Sequence, residues 1–368
     1  MPILEEGQNI RWTYEVERFL GEGAFAEVYR VRHRFLGRQA MKVFKRVGMT
    51  QEEIEEVLGE AILLSRIGHP NIVRVFDANV FETPKGIRGY FTMENVPGGN
   101  LDQFWRSHGT SLVPIETAID IMRQVCRGMA VAHAEKPPII HRDIKPQNIL
   151  VGYEAEGIRA RVSDFGLAKK VNPLTLLATA AGTLLFKPPE TFSKAKADSC
   201  SADVWALGTT LYLLLTDQLP FDVNPDLGWS NRKAFETHLV PPSSWNLDVD
   251  PILEKIVLRC LEIDPSKRYQ TAGDLLDALD GWRSPTPMKE PRGKRAISSD
   301  ASKSVLGPHS PVNHQEGQRL AQMAMKKAKE EGRLSEAADI MEEAFNKSPS
   351  LRQKYANQVR LWRCGISM

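Results

Sequence analysis

The chain has 368 residues, of which 42% are hydrophobic and 26% charged, and its 48 basic and 46 acidic residues leave a formal net charge of +2. This near balance gives no support for bulk attraction to nucleic acid or to a membrane, so neither is expected as a partner. The amino terminus lacks the pattern of a signal peptide, and the longest apolar stretch, near residues 206–215, is shorter than a membrane span. We therefore expect a cytoplasmic protein.

The amino-terminal part of the chain has the pattern of β-strands. Short apolar runs lie on both sides of Gly21 and Gly23, and similar runs return at residues 72–76 and 89–93. Between them, residues 51–67 carry one apolar stripe at helical spacing. A connecting segment with Pro97, Gly98 and Gly99 follows. The sequence predicts a strand-rich lobe over residues 10–94.

From residue 101 onward the pattern is mostly helical. The clearest helical stretches are 114–134, 201–216, 250–262 and 271–282, and strand-like runs occur at 148–151 and 159–163. This predicts a helical lobe over residues 97–283. The fold class is then α+β, with a two-lobed unit over residues 1–283.

The carboxy-terminal part divides into a linker and a helical segment. Residues 284–314 are rich in Ser, Pro, Lys and Arg, which is typical of a flexible tether. Residues 315–364 carry two apolar stripes separated by Gly332, with a third helix expected after Pro349. This pattern resembles a tetratricopeptide-type repeat, and a generic helical hairpin is the alternative. The segment would bind a protein partner, dock on the rest of the chain, pair with itself or stay only marginally stable.

The string from His141 to Asn148, together with Asp164-Phe165-Gly166, carries the chemistry. Phosphoryl transfer needs positioned charge around the phosphates and one carboxylate facing the attacking oxygen. Asp143 would accept or orient the hydroxyl proton of the substrate, and Lys145 would offset charge on the transferred phosphate. Asn148 and Asp164 would hold magnesium, a hard cation that prefers oxygen ligands.

Upstream, a glycine-containing loop lies between two strand-like runs. Glycines allow backbone amides to approach phosphate oxygens, although a plain hairpin turn is the better explanation of the loop when it is taken alone. Lys42 follows on an inward-facing strand position, where a lysine is costly unless it is paired. The loop residues expected to cover the nucleotide are Gly21, Glu22, Gly23, Ala24, Phe25, Ala26 and Val28.

Taken in this order, these motifs resemble a Hanks-type (eukaryotic-like) protein Ser/Thr kinase over roughly residues 12–282. Further matching motifs are Pro188-Pro189-Glu190, the run Asp203 to Gly208, and Arg268, which would form a buried ion pair with Glu190. The resemblance implies transfer of the terminal phosphate of ATP to Ser/Thr hydroxyls of proteins, with Mg²⁺, or Mn²⁺ as the alternative ion. The main departures are Ala26 at the third glycine of the loop, Phe186 and Pro188.

The resemblance also implies roles for individual residues. Lys42 would bind the nucleotide phosphates and pair with Glu60 on the following helix, with Glu56 as the alternative. Arg142 would pair with a phosphate on the activation segment, which runs from Asp164 to Glu190. The expected acceptors of that phosphate are Thr175 and Thr179, and the residues expected around the adenine are Ala40, Met93, Glu94, Val96 and Leu150.

Two other functions remain open from the sequence. A pseudokinase scaffold would use the fold and the helical tail for binding only, but it would be expected to lack Lys42, Asp143 or Asp164, and all three are present. A small-molecule kinase would share the catalytic residues and lack the Pro-Pro-Glu and Asp203 to Gly208 motifs. Labelled ATP offered with a basic protein, with the chain alone and with small alcohols separates the three.

Overall fold

In the computed structural model of the chain, the structure is described for most of the sequence, with several gaps. The described residues are 2–23, 25–48, 52–53, 58–59, 67–109, 111–165, 184–192, 198–221, 234–284, 314–330, 333–348 and 350–366. They fall into two units, Met1–Val96 and Pro97–Met368. The sequence places its connecting segment at the same point.

The described part of the first unit is built on one antiparallel sheet with the strand order β1-β2-β3-β4-β6-β5. Alternation of apolar and polar residues along the strands gives the sheet two different faces. The six strands are β1 (Asn9–Ile10), β2 (Tyr14–Glu22), β3 (Ala26–His33), β4 (Gly37–Phe44), β5 (Val75–Thr83) and β6 (Gly86–Glu94).

One face of this sheet forms the apolar core of the first unit. On each strand every second residue points to that face, because side chains alternate along a strand. The members of the core on β2, β3 and β4 are Tyr14, Val16, Tyr29, Val31, Met41 and Val43, all almost completely buried. Residues of even number on β3 and β4 therefore lie on the opposite face, and Lys42 is among them.

The second unit is mainly helical, with one antiparallel hairpin of strands β7 and β8. The strands are β7 (Ile149–Glu154) and β8 (Gly157–Val162). Its helices are α1 (Leu101–Arg106), α2 (Ile115–Ala134), α3 (Cys200–Thr216), α4 (Pro251–Cys260), α5 (Ala272–Gly281), α6 (His314–Lys327), α7 (Leu334–Lys347) and α8 (Ser350–Arg363).

Helix α3 lies at the centre of the second unit and is buried along nearly its whole length. Ser199 caps its amino end by accepting a hydrogen bond from the Ala202 N–H, and Asp217 ends it in the left-handed region at φ +59°. Its apolar residues pack with those of α2 and α4. A helix that is apolar on every side needs such a position, since no face can be left in water.

The helices predicted over 114–134, 201–216, 250–262 and 271–282 are confirmed, with ends that agree within two residues. The strand predicted over 72–76 begins only at Val75. The Ile72 N–H donates to the His69 carbonyl at 3.0 Å, so a turn occupies the start of that run. Most of the helix predicted over 51–67 lies outside the described residues, and the described residues 52–53 and 58–59 are helical.

Helices α6, α7 and α8 form a small bundle within the second unit, and small residues allow its helices to approach closely. Ala324, Ala337 and Ala344 are fully buried. A Cβ atom at Gly317 of α6 would lie 2.4 Å from the Cβ of Ser348, just past the end of α7. The tetratricopeptide interpretation of these helices stays a prediction. Over the described ranges, no helix is both long enough and apolar enough to span a membrane.

Candidate active site

The segment His141–Asn148, here called the catalytic loop, lies between α2 and β7. The carboxylate of Asp143 receives two hydrogen bonds at the same oxygen: Lys145 Nζ lies 2.9 Å from Oδ2, and Asn148 Nδ2 lies 3.0 Å from it. Asn148 Nδ2 also donates to the Asp143 carbonyl at 2.7 Å. A 3₁₀ turn over Pro146–Asn148 brings these residues together. Since both bonds use Oδ2, Oδ1 is the oxygen that can face a substrate hydroxyl.

Asp203 of α3 holds the backbone of the catalytic loop. Its carboxylate is 98% buried and accepts from the His141 N–H at 2.7 Å and from the Arg142 N–H at 2.9 Å. His133 Nε2 lies 3.1 Å from the same carboxylate, and its Nδ1 accepts from the first N–H of α5, so Nε2 carries the proton. Three donors thus compensate the buried charge.

His141 joins the catalytic loop to the residues that precede Asp164. Its Nε2 lies 2.9 Å from the Ser163 carbonyl, and its Nδ1 accepts from the Asp143 N–H at 3.2 Å. Burial lowers the pKa of His141, which keeps the ring neutral, as this pattern of one donor and one acceptor requires. The ring also packs on Phe165, with centroids 4.6 Å apart. His141 therefore has a structural role that sets the relative position of the two acidic segments.

Two residues next to the chemistry have strained backbones. Arg142 has φ +67° and Asp164 has φ +60°, both in the left-handed region. That region costs an L-residue roughly 1–2 kcal/mol, and it persists only where surrounding contacts impose it. The hydrogen bond from the Arg142 N–H to Asp203 is one such contact. Backbone strain at Arg142, next to Asp143, and at Asp164 is typical of a functional site.

Asn148 and Asp164 were predicted as magnesium ligands, and their chemistry in this structure fits that ion. Both hydrogen bonds from the Asn148 side chain use Nδ2, which turns its Oδ1 oxygen away from Asp143. Asp164 is half-buried and lies two residues after the end of β8, directly after Ser163. An amide oxygen and a carboxylate are the hard donors that magnesium prefers.

In the first unit, the face opposite the core carries the residues predicted to contact a nucleotide. Lys42 on β4 pairs with Val28 on β3, and Ala40 on β4 pairs with Met93 on β6, so all four share that face. Lys42 is 93% buried, with its Nζ 5.9 Å from the centre of the Phe91 ring. The sequence motifs alone did not predict that these four residues share a face. The register of the strands shows it.

The glycine loop forms the hairpin between β2 and β3, where the Gly23 N–H donates to the Ala26 carbonyl at 2.8 Å. A Cβ at Gly21 would meet no atom of the described residues within 4 Å, and one at Gly23 only the Ala26 carbonyl at 3.9 Å. Neither glycine is therefore required by internal packing. Glu22 pairs with Lys45 at 3.2 Å, and Phe25 is half-buried. The open backbone suits close approach by a ligand.

The structure describes only some of the other residues predicted to bind the nucleotide or to carry a phosphate. The Glu94 N–H donates to the Arg74 carbonyl at 2.8 Å, so the backbone donor predicted for an adenine would be Asn95 or Val96. Leu150 lies half-buried on β7 of the second unit. The predicted residues outside the described ranges are Ala24, Glu60, the alternative Glu56, Gly166, Thr175 and Thr179.

Sequence reasoning did not single out Lys187 and Asp198. Lys187 Nζ donates to the Arg142 carbonyl, and burial lowers the pKa of its amine. Both residues line a small cavity of about 70 Å³ that Asp143 also borders. Arg142, predicted to pair with a phosphate, has its Nε 2.9 Å from Asp198 Oδ2. The sequence feature that could have identified Lys187 is a lysine within the run Phe186 to Pro189. No sequence pattern marks Asp198.

The predicted ion pair between Glu190 and Arg268 is confirmed. The guanidinium donates to the two carboxylate oxygens at 2.7 and 2.8 Å, and Arg268 is 99% buried. Its Nε donates to the Glu262 carbonyl at 2.7 Å, and its Cζ lies 4.8 Å from the centre of the Trp205 ring. A bidentate pair of this kind fixes the end of the activation segment to the helices of the second unit.

Comparison with known sequences gives one family match. The family described as "Protein kinase domain" matches residues 14–278. A probable serine/threonine-protein kinase of Clostridium acetobutylicum is 33% identical over 270 residues, which are 72% of this chain and 39% of that relative. Serine/threonine-protein kinase PrkC of Bacillus subtilis is 33% identical over 273 residues, or 73% of this chain and 40% of that protein. The chain spans about two fifths of the length of these relatives.

Among solved structures, the chain is similar to the kinase domain of Mycobacterium tuberculosis PknI. The TM-score is 0.56 at 25% sequence identity, and the match covers 75% of this chain and 98% of that one. The overlap has a β-rich first lobe and a helical second lobe in common. A further quarter of this chain lies outside the match.

Proposed function

The chain belongs to the protein kinase family, and on that premise we propose that it transfers the terminal phosphoryl group of ATP to Ser and Thr hydroxyls of proteins. The proposal is carried by the geometry at Asp143. One carboxylate oxygen is held by Lys145 and Asn148, and the backbone before it is held by Asp203. The other oxygen is then oriented for an incoming hydroxyl, as general-base positioning requires.

Each residue would contribute a distinct part of the reaction. Asp143 would orient the attacking hydroxyl and take its proton, while Lys145, 2.9 Å from that carboxylate, would offset the charge of the phosphoryl group in transit. Lys42 would bind the phosphates from the first unit. A magnesium ion, when bound by Asn148 and Asp164, would neutralise phosphate charge. None of these steps needs a covalent intermediate on the protein.

An Asp143→Asn variant tests the assignment directly. Wild-type protein should label Ser or Thr in a generic basic protein, or in itself, with radioactive ATP and Mg²⁺. The variant should lose on the order of 10²–10⁴-fold in kcat, the usual contribution of a positioned base. Asp277→Asn, the same change at an exposed position of α5, should be fully active. Absence of any label on Ser or Thr from the wild type would contradict the proposal.

Autophosphorylation of the activation segment is the regulation that we propose, with Thr175 and Thr179 as acceptors. Arg142 supports a phosphate-binding role because its Nε is engaged by Asp198, a carboxylate that is about half exposed, while its Nη1 makes only a longer bond, of 3.3 Å, to the Ile140 carbonyl. A phosphate would compete with Asp198 for the guanidinium. Mass spectrometry of protein incubated with ATP should find phosphate on one of these threonines, and Asp143→Asn protein should lack it.

A further inference from the structure

The core of the C-terminal helices α6–α8 includes a residue of the β7–β8 hairpin. Tyr153 of β7 belongs to the same apolar cluster as Phe345 of α7, and the two rings meet edge to face with centroids 5.9 Å apart. Arg363 Nε of α8 donates to the Tyr153 carbonyl at 3.1 Å. The apolar face of the segment is therefore directed at its own chain within the second unit.

Arg352 of α8 makes a second attachment. Its guanidinium is buried and lies 4.9 Å from the centre of the Phe104 ring and 5.6 Å from that of Tyr153. Its Nη1 donates to Ser107 Oγ at 2.6 Å, at the carboxyl end of α1. A cation placed there is stabilised both by the rings and by the helix dipole.

The third attachment is at Pro97–Asn100, here called the connecting segment, which directly follows Val96. Asn346 Nδ2 of α7 donates to the Pro97 carbonyl at 3.1 Å. A Cβ at Gly98 would lie 2.1 Å from the Val151 carbonyl and 3.1 Å from Glu342 Oε2. The backbone at Gly98 is thus enclosed between β7 and α7. Glu342 and Asn346 are four residues apart, on one face of the helix.

Gly99 is enclosed in the same way. It has φ +82°, and a Cβ there would lie 2.2 Å from Gln103 Oε1 and 2.6 Å from Asn346 Oδ1. Glycine is required at this position both by its conformation and by the lack of space. The side chain of Asn346 therefore forms part of the wall that gives the connecting segment its shape.

The connecting segment in turn positions residues predicted to contact the nucleotide. The Val151 N–H donates to the Gly99 carbonyl at 2.8 Å, and Asn100 forms a bridge with Leu150. Asn100 also caps α1 in a reciprocal capping box. At its other end the segment is covalently continuous with Val96. A change in its path would therefore move Leu150, which is assigned to adenine binding.

We propose that Asn346 is a positioning residue for nucleotide binding: through the Pro97 carbonyl, helix α7 holds the connecting segment in the conformation that binds ATP. This inference rests on the proposed kinase activity. Among the described residues of the second unit, the Asn346 side chain bonds to the Pro97 carbonyl and not to Asp143, Lys145 or Asn148, so its effect should be on nucleotide affinity and not on the chemical step. The C-terminal helices are then a working part of the kinase unit, whether or not they also bind a partner.

Asn346→Asp in the full chain tests this proposal. The change replaces the donor that faces the Pro97 carbonyl by an acceptor, so a hydrogen bond becomes a repulsion. We expect the KM for ATP and the Kd for a fluorescent ATP analogue with Mg²⁺ to rise about fivefold, and Asn346→Ala to give a smaller rise. The kcat should stay unchanged. Asn357→Asp is the matched control, because it makes the same change at an exposed position of α8.

The outcomes separate the two proposals. Wild-type protein that binds the analogue but phosphorylates nothing would refute the proposed function, while the Kd values still test the role of Asn346. An active wild type with equal KM and Kd for the Asn346→Asp and Asn357→Asp variants would overturn the inference. A fall in kcat together with a lower Tm would also overturn it, because the helix would then act through folding alone.

Discussion

Replacing Asp203 by Asn should loosen the catalytic loop without changing the volume of the side chain. The carboxylate now accepts three hydrogen bonds, from His141 N–H, Arg142 N–H and His133 Nε2. An amide has one oxygen, and its Nδ2 cannot accept. The oxygen would best take the Oδ2 position, where it keeps two neutral bonds, while the bond from the Arg142 N–H is lost.

The cost follows from these bonds. Losing one hydrogen bond to a buried charged group costs about 1.5–3 kcal/mol, and neutralising the acceptor of the other two costs about 1 kcal/mol each. The expected loss is therefore about 4 kcal/mol. For a unit of this size that corresponds to a fall in Tm of about 8 °C. The kcat should fall as well, since Arg142 would no longer be held in its strained conformation at φ +67°.

Thermal unfolding and steady-state kinetics of the Asp203→Asn protein measure both effects. Asp277→Asn is again the control, because this exposed side chain of α5 undergoes the same chemical change. If the two variants share the Tm and the kcat of the wild type, Asp203 does not hold the loop and the reasoning is wrong. A lower Tm with an unchanged kcat would show that the carboxylate supports the fold but not the geometry of Asp143.

Two further predictions concern buried ionisable groups elsewhere in the second unit. Arg268→Met should cost about 3–5 kcal/mol because it strands the Glu190 carboxylate, and the double variant with Glu190→Gln should regain part of that loss in thermal unfolding; additive effects would argue against a coupled pair. Burial raises the pKa of Glu342 from its usual 4.5 to about 7 despite its contact with Arg363. The folded state therefore keeps a proton that the unfolded state releases, and the free energy of unfolding should fall by up to about 3 kcal/mol as pH rises from about 4.5 to about 7. Glu342→Gln should remove this dependence, and parallel Tm profiles of variant and wild type between pH 4.5 and 8 would refute it.

Local sequence patterns predicted much of the fold because the interactions involved are local. The apolar stripe of α2 and the continuous apolar run of α3 identify helices from residues three or four apart. The run over 72–76 was predicted less well, because the hydrogen bond from Ile72 to the His69 carbonyl competes with strand pairing. Such a turn depends on a few backbone bonds that periodicity does not report.

The functional residues divide in a similar way. Asp143, Lys145 and Asn148 lie within six residues of one another, so their string could be identified from the sequence. The partner of the Arg142 guanidinium could not be identified, since Asp198 is 56 residues away. Nor could the contact of Asn346 with Pro97, which joins positions 249 residues apart. Only folding decides which distant groups meet.

By itself, the sequence determined the order of the chemistry-bearing motifs, the family they indicate and the helical character of residues 315–364. The tertiary structure decided which oxygen of Asp143 is held and where the apolar face of the last helices is buried. The physical reason is that side-chain periodicity fixes which face of an element is apolar, but not what that face packs against. In this chain the face of α7 packs against β7 and the connecting segment, because Gly98 and Gly99 have no side chains and leave room for its approach.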